Sequence, residues 1–397
     1  MMKKYSKSFL VIALSGLFFV SCEKLDASKL DVQDLTGYYP AWFDQTKAQK
    51  EMTQEINGFT YKLYREVFED RDIFISPFSI STGLSMLATG SDGNTEQQIL
   101  SALGFGGKTS DDLDTYYSVI MKNMESSDPT TTISVASGIW SGRDIELKHQ
   151  YVEACGKYFN SAARSVDFSD PATLLEINRW AREHTNGKIE KLLDELPADA
   201  SSILANAVYF KATWPFEFTR RGNRMIAKVK TEYFEGDGFT GVKIPYGNGS
   251  FAMRIIQPAK GRKLEDAVKE YNGKASHNET AIVALDLPVF SFSYENRLNQ
   301  ALNNLGIEDA FDADRADFSR MSDKPMFVDD VFHRTHIDVN EKGTEAAAVV
   351  EISMLSGASS LTIPEYRELD FKVDRDFIFE IVDRCSDVTI FIGQHKM

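Results

Sequence analysis

The chain has 397 residues, of which 44 are Lys or Arg and 59 are Asp or Glu, giving a formal net charge of −15 at pH 7. With 43% hydrophobic and 26% charged residues it can bury a large core and has no need of disorder. So acidic a chain is a poor ligand for nucleic acid.

Residues 1–21 read as a leader rather than as fold. Lys3, Lys4 and Lys7 precede an apolar stretch from Phe9 to Val20, which is too short to span a bilayer comfortably. Ser21 followed directly by Cys22 resembles a bacterial lipobox, with Phe19 where a leucine is commoner. The expectation is acylation of Cys22, a membrane anchor at the outer membrane of a cell envelope, and residues 22–48 as a tether. A plain secretion signal is the alternative. Loss of the leader removes three lysines and no acids, which takes the charge from −15 to −18.

Helical periodicity begins near Met52. Ser76 and Pro77 open a helix, since proline at the first position loses no hydrogen bond, and Ile80, Leu84 and Leu87 give it an apolar stripe. Gly90–Asn94 and Gly236–Gly241 read as turns. Gly104–Thr109, G-F-G-G-K-T, looks like the end of a phosphate-binding loop, but Ala102 stands where the first glycine is required, so it reads as a turn after a helix ending near Leu103. Alternation marks Ile203–Phe210 and Thr389–Ile392 as strands.

Asn340–Ile352 reads N-E-K-G-T-E-A-A-A-V-V-E-I. From Thr344 onward Thr344, Ala346, Ala348, Val350 and Ile352 fall on one side of a period-two pattern, yet Met354–Thr362 is a loop of small residues closing at Pro364. Such a segment has two homes, one exposed and one inside a sheet.

No repeat or internal linker divides the chain, and helices and strands do not alternate regularly. One α+β domain over residues 49–397 is expected. The six histidines form no metal-binding spacing, there is no G-x-S-x-G elbow, and Cys155 and Cys385 read as separate thiols. Neither metal, cofactor nor enzymatic activity is indicated.

Four blocks make a family resemblance specific. They are Asp72–Phe105, beginning D-I-F-I-S-P-F-S-I-S; Ile177–Leu193, with I-N-R-W-A and T-N-G-K-I-E-K-L-L; Leu204–Phe218, with N-A-V-Y-F-K-A-T-W-P-F; and His333–Ala348. Together the chain resembles the serpins. The resemblance implies a single domain with three β-sheets, eight or nine helices and an exposed reactive-centre loop at about 344–364. It implies an irreversible suicide-substrate inhibitor of serine, and also cysteine, endopeptidases, acting as a monomer, whose cleaved loop enters the central sheet. A non-inhibitory binding or chaperone serpin is the alternative, but Glu341, Gly343, Thr344, Glu345, Ala346, Ala347 and Ala348 match the hinge of inhibitory members. Ser76, Ser79, Asn206 and His333 match the polar cluster beneath the parting strands, and Trp214 the aromatic residue at the top of the opening. Counting from Glu341 as the family does places the scissile bond at Gly357 and Ala358. Met354 and Leu355 fill an apolar pocket better, and the long span to Phe377 adds Leu361. Gly343–Tyr366 holds no Lys or Arg, so elastase-, chymotrypsin-, subtilisin- or papain-like targets are expected rather than trypsin-like ones. Asp376 departs from the family's proline, and His336 reads as a hydrogen-bonded strand histidine.

Overall fold

The computed structural model describes residues 26–197, 199–344 and 365–397. Glu345, Ala346, Ala347, Ala348, Met354, Leu355, Gly357, Ala358, Leu361 and Cys22 therefore lie outside the described residues.

Eight α-helices are present among the described residues: α1 (Lys47–Glu66), α2 (Pro77–Gly90), α3 (Gly93–Ala102), α4 (Ser110–Ser127), α5 (His149–Phe159), α6 (Pro171–His184), α7 (Leu264–Glu270) and α8 (Asn299–Asn304). α2 begins as its sequence predicts, with Pro77 in its first turn and the Ser76 hydroxyl accepting the Ser79 N–H at 3.3 Å. It is more than amphipathic, because nearly all its side chains are buried. Several of the hydroxyls this places in the core are satisfied locally: Thr82 donates to the Phe78 carbonyl at 2.8 Å and Ser85 to that of Ser81 at 2.9 Å. Gly104, at φ +89°, ends the turn after α3, and Thr109 caps α4 with a reciprocal bond to Asp112.

A six-stranded sheet runs in the order β11 (Phe290–Arg297), β12 (Asp330–Asn340), β13 (Gly343–Thr344), β5 (Ser202–Thr213), β3 (Thr132–Gly142) and β4 (Ala162–Val166). Alternate residues of β5 separate onto two cores. Leu204, Val208, Phe210 and Ala212 join the main cluster with α2, whereas Ile203, Ala205 and Ala207 pack with Ile177 and Ala181 of α6. Both faces of the sheet are thus covered at β5.

The remaining strands form one ten-stranded network, β14 (Glu368–Lys372), β10 (His277–Pro288), β7 (Arg224–Gly236), β8 (Phe239–Tyr246), β9 (Phe251–Pro258), β15 (Phe377–Asp383), β16 (Val388–His395) and β2 (Ile73–Ile75), with β1 (Val32–Asp34) and β6 (Thr219–Arg221) on β7. β7 pairs with β10 from Arg224 to Glu235 but with β8 only from Glu232 to Gly236. The two smaller sheets that the resemblance implies are therefore joined through one long strand.

The segment expected as a tether is docked from Asp26 onward. β1 lies parallel to β7, Leu35 is buried, and Asp34 meets Lys230 at 3.0 Å. Gln33 exchanges hydrogen bonds with the Glu217 backbone at 3.0 and 3.2 Å, and the Tyr38 hydroxyl donates to the Pro215 carbonyl at 3.0 Å. Cys155 and Cys385 are both free thiols, as expected of a core large enough to need no disulfide. Asp376 accepts the Met397 N–H at 2.9 Å and pairs with Lys396, which gives this departure a structural role at the chain end.

Candidate functional site: a seam between two parallel strands

β5 and β12 are neighbours for only part of their length. Asp330–Arg334 pairs directly and in parallel with Ile203–Ala207, and His333 stands opposite Asn206. Beyond that ladder, β13 lies between the two strands and is antiparallel to both, with Thr344 opposite Ala212 on one side and Val339 on the other. One seam therefore has a closed end and an open end.

The closed end gathers the predicted polar residues. The Ser76 N–H donates to His333 Nε2 at 3.1 Å, so the neutral ring carries its proton on Nδ1. Full burial pushes the His333 pKa down to about 3, which keeps it neutral. The Ser76 hydroxyl donates to the Ile390 carbonyl at 2.9 Å, and Thr335 ties β12 to the Phe74 carbonyl of β2. Ser137, which the sequence did not single out, donates to Asn206 Oδ1 at 2.8 Å. Gly83 of α2 lies so close that a Cβ there would sit 2.8 Å from the same oxygen. The Ser79 hydroxyl, Asn206 Nδ2 and His333 Nδ1 are buried with no hydrogen-bond partner among the described residues. Small polar side chains thus meet at this junction, where the core around it is apolar.

The open end gathers Trp214, Glu341, Gly343 and Thr344. Asn340 and Gly343 are ladder partners, with Glu341 and Lys342 forming the two-residue turn between them. Gly343 has φ +144°, and a Cβ on it would meet the Ala212 carbonyl oxygen at 2.2 Å, so only glycine fits. The Trp214 indole N–H donates to the Asn340 carbonyl at 2.9 Å and its backbone N–H to that of Lys342 at 3.0 Å. Its ring stacks on Tyr246 at 4.3 Å between centroids. Glu341 pairs with Arg220 at 2.8 Å; a hydrogen bond to its own backbone N–H and this guanidinium hold its carboxyl below the usual range. Tyr246 and Arg220 were not legible as site residues. His336, on the same strand, shares a hydrogen bond with the Ser293 hydroxyl at 3.0 Å, as expected of a strand histidine.

Residues 54–396 match the family model for serpin, a serine protease inhibitor. The chain belongs to the serpin family. Serpins are in general protease inhibitors rather than enzymes. An uncharacterized serpin-like protein of Thermococcus kodakarensis is 30% identical over 373 residues, covering 87% of this chain and 85% of that one. Serpin-ZX of Arabidopsis thaliana is 29% identical over 368 residues, covering 83% and 92%. Among solved structures, the thermophilic serpin tengpin in its native state superposes with a TM-score of 0.77 at 24% identity, covering 94% of this serpin and 98% of that chain. Its latent state gives 0.74, covering 89% and 99%. These structures share the fold.

Proposed function

We propose that this serpin is an irreversible suicide-substrate inhibitor of endopeptidases that prefer apolar or small residues. The observation that carries this is register. Six residues separate His333 from Val339 on β12, and six separate Asn206 from Ala212 on β5, so the two edges keep one offset from the closed end to the open end. A single strand continuing from Thr344 would zip between them without a bulge. Its residues would then meet defined neighbours: Ala346 between Phe210 and Ile337, Ala348 between Val208 and Thr335, and Val350 between Asn206 and His333. These are the small and β-branched residues that alternate in the sequence, and their neighbours on β5 and β12 are buried. Entry as far as Ala348 stays beside strand edges that do not pair with each other. Val349 and Val350 meet the direct ladder, where His333 must leave Asn206.

In this mechanism the protease's nucleophile bonds to the scissile carbonyl carbon, the amide C–N bond breaks, and the new amino terminus departs. Strand entry then drags the acyl-enzyme along. About fourteen residues at ~3.3 Å each would carry it on the order of 45 Å, across the whole sheet. The scissile bond is proposed at Gly357–Ala358, with Met354, Leu355 or Leu361 as alternative residues for the enzyme's pocket. Glu345 would face outward. We further propose export and anchorage through acylated Cys22, with residues 1–21 removed, leaving a monomer at the cell envelope.

The test is to incubate the purified protein with elastase, chymotrypsin, subtilisin, papain and trypsin and to look for an SDS-resistant adduct, sequencing the released peptide. Adducts with the apolar-preferring enzymes and none with trypsin are expected. Cleavage by all without any adduct would favour a non-inhibitory serpin. Labelled fatty acid should enter the wild-type chain, and uptake by Cys22→Ala would overturn the anchor.

A further inference from the structure

Tyr246 ends β8, in the ten-stranded network, and so belongs to neither of the strands that must part. Its hydroxyl shares a hydrogen bond of 2.6 Å with Thr344 Oγ1, and both residues are buried. Its ring is fixed on two sides and its backbone is paired. Trp214 stacks on it at 4.3 Å, Phe210 meets it edge-on at 5.4 Å, and Phe251 is its ladder partner on β9. Just beyond it, the Gly247 N–H donates to the Thr213 carbonyl at 2.9 Å and ties this corner to β5. Burial raises the phenol's pKa, so the hydroxyl stays neutral and available to bond.

A strand entering a sheet has one recurrent error, a slip by a single residue, which turns every side chain to the other face. Here that slip would aim Glu345 at the apolar main core, an uncompensated buried charge. Gly343 cannot stop it, having no side chain. Thr344 is the first residue with one, and its hydroxyl has a single described side-chain partner. We propose that Tyr246 is a positioning residue for loop entry: it holds Thr344 opposite Ala212 and so sets the register in which the rest of the hinge enters. This rests on the inhibitory function proposed above and adds a residue to it.

The experiment uses the full chain and four variants, Y246F, T344V, T344S and Y246F with T344V, against chymotrypsin. Y246F keeps the ring under Trp214, and unchanged Trp214 fluorescence will show the corner intact. Y246F and T344V should each raise the number of inhibitor molecules consumed per enzyme trapped by about two- to tenfold, the factor one hydrogen bond carries. The double variant should be no worse than the poorer single one, and T344S, which keeps the hydroxyl, should recover most of what T344V loses. Unchanged partition in both single variants, or fully additive effects, would overturn the proposal. If the wild-type chain traps no enzyme, the inhibitory function fails by itself. Hydrogen exchange at the Thr344 amide of uncleaved protein then decides: about two- to tenfold faster exchange in Y246F supports the positioning role, and unchanged exchange sinks it.

Discussion

At the Thr344 end, the seam between β5 and β12 is propped by stacked rings and filled by a hairpin two residues deep; at the His333 end it is closed by a short parallel ladder over small polar groups. The first end is fully bonded through Trp214, Tyr246 and the Glu341–Arg220 pair. The second leaves three buried polar atoms unmatched among the described residues. Aromatic packing and a small polar cluster are thus placed at opposite ends of one junction. Opening should proceed from the propped end toward the polar one.

Four substitutions test that contrast. The largest effect should come from T344R, which puts an unpaired guanidinium into a buried position beside Tyr246 and expels the hinge. Burial of such a charge costs several kcal/mol, so the covalent adduct on a denaturing gel should fall by roughly 100-fold in favour of cleaved inhibitor. An undiminished adduct would break the claim that the hinge starts from this pocket. Next, W214A removes the prop and its indole hydrogen bond to the Asn340 carbonyl, while the backbone bond to Lys342 stays. A loss of about 3–5 kcal/mol in urea unfolding is expected, and a loss below ~1 kcal/mol would mean the rings prop nothing.

The His333 end should announce itself through pH. Its pKa is depressed in the folded state to about 3 from an ordinary 6.5, so the unfolded chain binds this proton first as pH falls. The stability that neutral His333 contributes is complete above pH 6.5 and is lost progressively down to about pH 3. Near pH 5.5 the loss should be about 1 kcal/mol, and H333Q, which cannot titrate, should lack that part of the slope in urea titrations at pH 7 and 5.5. Equal slopes in both proteins would place His333 in a wetter site than its burial indicates. The smallest effect belongs to Arg220→Ala. This ion pair is partly exposed, with side-chain accessibilities of 44% and 27%. Its loss should cost under ~1 kcal/mol and vanish in high salt.

Much of this junction is legible in the order of the amino acids alone. Ser76 and Pro77 announce a helix start by their chemistry, and the alternation after Thr344 states which side chains would face inward. The quartet Ser76, Ser79, Asn206 and His333 is legible only through the family blocks, since nothing local distinguishes Asn206 from any strand asparagine. Tyr246 is not legible at all. It meets Thr344 across 98 residues, and Ser137 meets Asn206 across 69. Such pairings are made by sheet topology, which leaves no trace in local periodicity. The docked segment at Val32–Asp34 escapes for a related reason: V-Q-D is too short and polar to read as a strand, and its partner Lys228–Lys230 lies far along the chain. Asp376 reads as an unexplained departure because its partners Lys396 and Met397 are brought to it only when the last strand is in place.

The most direct test is a crystal structure of the protein cleaved once within its loop. Val350 should then lie between His333 and Asn206, with Thr344 still opposite Ala212, and the cleaved form should melt well above the intact one. If His333 remains paired directly with Asn206 in the cleaved protein, the seam does not admit the strand, and inhibition by loop entry is contradicted.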